Sequence, residues 1–273
     1  GINDGDIYNV ETTGTVIAGS AVDLSGALSS AGGIVGINGL NNNEATVDFS
    51  YSDSAVTASD NSTYGLGGVA GVNNGTLSLV DSLGVTRGLY VDQNGNYLAQ
   101  SGQVGGIVGI NNNTINSGYN ESIVTGLTEV GGIAGVNNDD GTINSVVNAV
   151  SVTGDGKDAA DSQDKVAGYY VGGLVGANNG SVTDGRNNGA ITGNEYVGGM
   201  VGSNANGSTL NNLVNGESAD IIGENYVGGI AGKNSGSISA NDSNLENRGS
   251  ITGQNYVGGV AGLNTGSITN TNN

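Results

Sequence analysis

The chain has 273 residues, among them 53 glycines and a single phenylalanine, and it contains no proline, cysteine, histidine or tryptophan. A net charge of −19, with only six scattered basic residues (Arg87, Lys157, Lys165, Arg186, Lys233, Arg248), excludes a phosphate-neutralising nucleic-acid surface and disfavours anionic membranes. Without His or Cys the usual general base, most zinc sites and every disulfide are gone, so no catalytic residue is expected and the chain reads as a non-enzyme.

In chain order the first element is a fragment. Gly1-Ile2-Asn3 is the tail of a seven-residue phrase, Gly-Gly-apolar-(Ala/Val)-Gly-Xaa-Asn, which recurs in full from Gly32, Gly67, Gly105, Gly131, Gly172, Gly198, Gly228 and Gly258. The copies are spaced by 35, 38, 26, 41, 26, 30 and 30 residues. A period of this size marks a stack of units that bury their apolar faces only against neighbours. Each unit carries three short β-prone stretches divided by Asn, Gly and Ser, as in Tyr226 to Lys233, Ser237 to Ala240 and Ser250 to Gly253. The expectation is all-β: a β-solenoid of roughly triangular section with about three strands per coil. Nine or so coils at the ordinary strand spacing give a body about 40 Å long. It forms a single domain over residues 1–273, with loop insertions near 88–103 and 154–168. The cut copy at Gly1 and the missing third face after Thr269 leave both ends open, which suits an excerpt of a longer protein or a unit that stacks end to end.

Within the phrase the third position is always large and apolar (Ile34, Val69, Ile107, Ile133, Leu174, Met200, Ile230, Val260) and is expected in the core. The residue before Asn varies from Ile37 to Ser203 and Lys233 and is expected in water. Simple alternation then turns the fourth position outward: Val35, Ala70, Val108, Ala134, Val175, Val201, Ala231 and Ala261. Two explanations stand for an apolar column there. A glycine-driven bulge turns it inward, or it is a stripe that packs against a partner chain.

The closing Asn column (Asn3, Asn38, Asn73, Asn111, Asn137, Asn178, Asn204, Asn234, Asn264) is structural. Asn tolerates the left-handed backbone of a tight corner, and stacked amides can hydrogen-bond along the axis. The second stretch supplies one apolar anchor per coil (Ile7, Leu77, Ile115, Ile143, Val182, Leu210, Ile238, Ile268). The third reads Ile-Thr or Val-Thr, giving an outward Thr57, Thr125, Thr153, Thr192 and Thr252 column. Ice-binding solenoids need such hydroxyls in a two-dimensional array, and one Thr per coil falls short of that. Tyr170, Tyr196, Tyr226 and Tyr256 precede the phrase, with Tyr64 close to the same place, and form either a sugar-binding strip or a cover over the adjacent glycines. Asp155, Asp158, Asp161 and Asp164 recur every third residue in a Gly-containing loop and offer oxygen ligands to calcium, although no cofactor is required. Asp139-Asp140, the adjacent acidic pair, is expected in a turn.

The phrase, followed by Gly-Ser-Ile-Thr/Ser and later by Gly-Xaa-Ile-Thr-Gly, closely resembles the GLUG motif over essentially the whole chain. That resemblance implies a secreted or cell-surface bacterial β-solenoid of the kind found in adhesins and in the non-catalytic part of some IgA-cleaving metalloproteases. The metalloprotease activity does not carry over, because its zinc motif needs His. The function expected is an adhesin stalk or filament-forming subunit, self-associating or binding other surface proteins, without direct membrane insertion. A carbohydrate-binding module or polysaccharide-active β-helix is the alternative, and an ice-binding solenoid a further one.

Overall fold

The computed structural model describes residues 1–19, 29–59, 63–91, 97–100, 102–154, 168–240 and 245–270. Every element among them is a strand, and all pair in parallel, coil upon coil, apart from one antiparallel hairpin. The chain is a β-solenoid. In the coil over 195–222 the strands are Glu195–Gly198, Val201–Asn204, Thr209–Asn215 and Ile221–Ile222. Their counterparts stack in register into a first sheet of eight strands, a second of nine, and third and fourth sheets that two coils join through the long strands Glu11–Ala18 and Tyr51–Ala58. Short Val/Ile/Thr runs divided by Asn, Gly and Ser make strands of this length, since each corner residue ends the extended run.

The β-prone stretch Tyr226 to Lys233 forms two strands rather than one, Asn225–Gly228 and Ala231–Asn234, in different sheets. The chain bends at Gly229-Ile230, where the Ile230 and Ala231 N–H groups both donate to the Val260 carbonyl, at 2.9 and 3.0 Å. The same shared acceptor recurs in the coils below, for example Leu174 and Val175 on Met200. Two successive N–H groups on one acceptor break the alternation, so the third and fourth phrase positions both point inward. Val35, Ala70, Val108, Ala134, Val175, Val201 and Ala231 are accordingly buried in the core, and Ala261 is half-buried in the last coil. The partner-stripe explanation for this column is therefore corrected: the shared-acceptor bend places it inside.

The section is two-lobed rather than a simple triangle. One core, with Ile107, Ile115, Leu174, Met200 and Leu210, fills the space between the second and third sheets. A separate one, with Leu66, Val124, Val171, Ile191 and Ile221, lies between the first and fourth. Each fully buried Ile or Leu contributes about 2 kcal/mol. Between the lobes the first and second sheets meet backbone to backbone. A Cβ on Gly202 would lie 2.4 Å from the Tyr170 carbonyl carbon, so no side chain fits there.

At the mouth of this contact sit Val72, Ile110 and Val136, the residues before Asn that were expected in water. They are buried because the neighbouring first sheet covers them. In the later coils Lys233 takes this position, with its ammonium 5.8 Å from the Tyr196 ring centre. The insertion at 88–103 contains the antiparallel hairpin Leu89–Val91 with Tyr97–Gln100. Like the one at 154–168, it enters between a fourth-sheet strand and the next first-sheet strand.

Candidate functional site

The phrase asparagines occupy one column at the end of the second sheet. Each Nδ2 donates to the Oδ1 of the next coil at 2.7 to 2.9 Å, from Asn3 through Asn264 without a break. In most coils the second Nδ2 hydrogen goes to a local carbonyl, as from Asn178 to Gly180 at 3.1 Å, while at Asn204 the Ser208 hydroxyl donates to Oδ1 at 2.7 Å. These contacts fix the amide orientations, and all donate in the same direction. Asn38 through Asn234 are wholly buried. None of the phrase asparagines has positive φ, so the left-handed backbone expected there is absent. It falls instead in two other columns, one in the first sheet (Glu129, Tyr170, Tyr196, Tyr226, Tyr256) and one midway along the third (Phe49, Leu79, Ser117, Ser145, Asp184, Asn212).

A second buried ladder was not seen in the sequence. Asn120, Asn148, Asn187, Asn215 and Asn247 link head to tail at 2.8 to 2.9 Å at the end of the third sheet. The signal was an Asn four residues before the Ile or Val of the fourth sheet, as in Asn187 and Ile191. It was obscured because Asn215 precedes Ile221 by six.

Tyr170, Tyr196, Tyr226 and Tyr256 stack face to face, with ring centres 5.3, 4.9 and 4.8 Å apart and interplanar angles of 22°, 9° and 7°. Tyr169 closes the lower end edge-on, 4.8 Å from Tyr170, and donates its hydroxyl to Glu195 at 3.2 Å. Burial, then the Glu195 charge, pushes the Tyr169 phenol well above its ordinary value, and burial does the same to Tyr170 and Tyr196. Tyr169, Tyr170 and Tyr196 are therefore neutral across physiological pH. Sugar stacking needs a free ring face, and here the faces of the inner rings are taken by their neighbours. Ring edges and hydroxyls are what such a stack offers outward.

The Thr57, Thr125, Thr153, Thr192 and Thr252 column is continuous in register but also includes Ile17, Arg87 and Ile222. A more regular hydroxyl array lies on the third sheet. Thr46, Thr76, Thr114, Thr142, Ser181, Thr209, Ser237 and Ser267 align coil on coil. Two residues further on, Asp48, Ser78, Asn116, Asn144, Thr183, Asn211, Ser239 and Thr269 form a parallel polar column. The buried anchor between the two columns, Leu77 or Ile115 for example, fixes both outward.

Asp139 and Asp140 lie in a turn beside a shallow depression of about 530 Å³ lined also by Asn112, Asn138 and Asn179. Asp155, Asp158, Asp161 and Asp164 lie outside the described residues. Among the described residues no group of three or more acidic side chains is placed to hold a metal, and no helix is long and apolar enough to cross a membrane. Set beside known proteins, the chain matches no family model, no curated protein and no solved structure.

Proposed function

We propose that the chain is an extracellular structural and adhesive β-solenoid of the GLUG-repeat kind, serving as a surface stalk or filament-forming subunit that self-associates or meets other surface proteins. The observation that supports this most is the unbroken Asn ladder, which ties successive coils into one rod through fully satisfied buried amides. Such a rod transmits load along its axis, because stretching it breaks side-chain amide hydrogen bonds and backbone pairings together in each coil. Pulling single molecules by their ends tests this. A stalk extends in coil-sized steps at high force, whereas extension as a soft chain at low force would refute it. A glycan array and a reducing-sugar release assay test the carbohydrate alternative, and turnover would displace the structural reading.

One observation favours a second reading. The third-sheet hydroxyl column and the mixed polar column beside it, which holds Ser78, Thr183, Ser239 and Thr269 among Asp and Asn, repeat at about 4.8 Å between coils and about 6.8 Å along the strand, the spacing an ice-binding face requires. Thermal hysteresis in dilute protein would support ice binding, and its absence with ordinary ice-crystal shape would remove it.

A further inference from the structure

Beyond the hydroxyl columns, at the bend midway along the third sheet, the lower coils carry a different face. Phe49, Tyr51, Leu79, Leu83 and Tyr119 are 51, 38, 43, 40 and 38% exposed, and Tyr8 packs edge-on against Phe49 at 5.5 Å. Register interleaves them with acids. Glu11, Tyr51, Asp81 and Tyr119 are successive members of one column. Alongside, Leu83 sits between Asp53 and Glu121, its N–H donating to Ser52 and the Glu121 N–H to Ser82. The intervening Ser50, Ser52, Val80 and Ser82 are buried, which fixes the whole set outward.

Two features separate this patch from an ordinary wet surface. Phe49 and Leu79 hold φ of 47° and 50°, where other coils place Asn9, Ser117, Ser145, Asp184, Asn212 and Asn270. A bulky residue at positive φ costs backbone energy, and its exposure returns nothing to the core. Glu11 accepts a hydrogen bond from the Tyr51 hydroxyl, but none of the four carboxylates is in an ion pair among the described residues. Burial, then Glu121, raises the Asp81 carboxyl above its ordinary value. The ion pair among the described residues, Arg248 with Glu246, lies several coils away.

We propose that this patch docks a cationic, extended polypeptide segment. Lys or Arg stems would lie across Tyr51, Phe49 and Tyr119, with the charged heads against Glu11, Asp53, Asp81 and Glu121. A ring beside a carboxylate at strand spacing suits a group that is apolar along its stem and positive at its tip. A second copy of this chain is the wrong occupant, because a body of net charge −19 would bring acids against acids. The proposal does not rest on the stalk reading, since a rod with another task would carry the same patch.

A short fluorescein-labelled oligo-arginine peptide, followed by anisotropy against the whole chain, tests it. Tyr51→Ser combined with Tyr119→Ser should weaken binding roughly tenfold, the loss of two cation–ring contacts. Asp81→Asn should weaken it several-fold, while the distant, exposed Glu217→Gln leaves it unchanged. Phe49→Asn suits the left-handed backbone, so it should weaken docking while the melting transition is kept or raised. The proposal is overturned if Glu217→Gln weakens binding as much as Asp81→Asn, which would mean generic attraction to an acidic body. It is equally overturned if the aromatic variants bind like the parent, or if neutral cello-oligosaccharides displace the peptide.

Discussion

Replacing Asn178 by Ala strikes the middle of the buried ladder. Asn178 accepts from Asn137 at 2.8 Å, donates to Asn204 at 2.8 Å and donates to the Gly180 carbonyl at 3.1 Å, with no exposed surface. Three hydrogen bonds at about 1 kcal/mol each, plus about 1 kcal/mol or more for the desolvated groups left on the neighbours, give a loss of about 4 kcal/mol. The neighbours soften this only in part. The Asn137 amide keeps Gly141 at 3.0 Å, and the Asn204 Oδ1 keeps the Ser208 hydroxyl at 2.7 Å. Guanidinium unfolding followed by circular dichroism measures the loss, with Asn112→Ala as the control. Asn112 is half-buried on the outer side, where it donates to Asn74 at 2.7 Å and accepts from Asn138, and two partly solvated bonds should cost about 1 kcal/mol together. Equal losses at the two positions would refute the claim that the ladder is a stabilising element rather than a by-product of stacking.

Further outcomes follow from the same geometry. Gly202→Ala should abolish folding or cost several kcal/mol, because the new Cβ would meet the Tyr170 backbone at 2.4 Å. Gly5→Ala, with nothing within 4 Å, should be near neutral, and thermal melts of the pair check both. Phe49→Asn should raise stability by about 0.5–1 kcal/mol, as Asn relieves the φ of 47°, read from the shift in the denaturation midpoint. Tyr169, Tyr170 and Tyr196 resist ionisation in the fold, so their contribution is complete below the unfolded phenol value of about 10. It should be lost as pH rises above that, seen as alkaline unfolding that tracks phenolate absorbance. Calcium held by Asp155, Asp158, Asp161 and Asp164 predicts a higher melting temperature with the ion than with chelator, and superimposable transitions would dispose of that site.

The repeat phrase made the stack legible because Ile230 and Asn234 keep their offsets in every copy, and a column in register is a column in space. The bulge at Gly229-Ile230 was legible as one of two explanations for the apolar fourth position, but the hydrogen bonding that produces it was not. Alternation is a rule for one continuous strand, and the shared Val260 acceptor that breaks it belongs to the next coil. Variable corners hid the second ladder, since the spacing that marks Asn187 fails at Asn215. The acid and aromatic face could not be read at all. Glu11, Tyr51, Asp81 and Tyr119 are each 30 to 40 residues apart and become neighbours only through coil register. Likewise Tyr196 and Tyr226 were visible as a column, but their parallel rings follow from the left-handed backbone that both adopt.

Hydrogen exchange of the asparagine side-chain amides, measured by NMR on protein labelled selectively at asparagine, tests most directly whether buried amide ladders bind the coils together. The structure predicts that Asn38 through Asn234 of the phrase column, with Asn120, Asn148, Asn187 and Asn215 of the second, exchange far more slowly than outward residues such as Asn116. Uniform exchange at the rate of exposed amides would contradict the ladders and, with them, the rod.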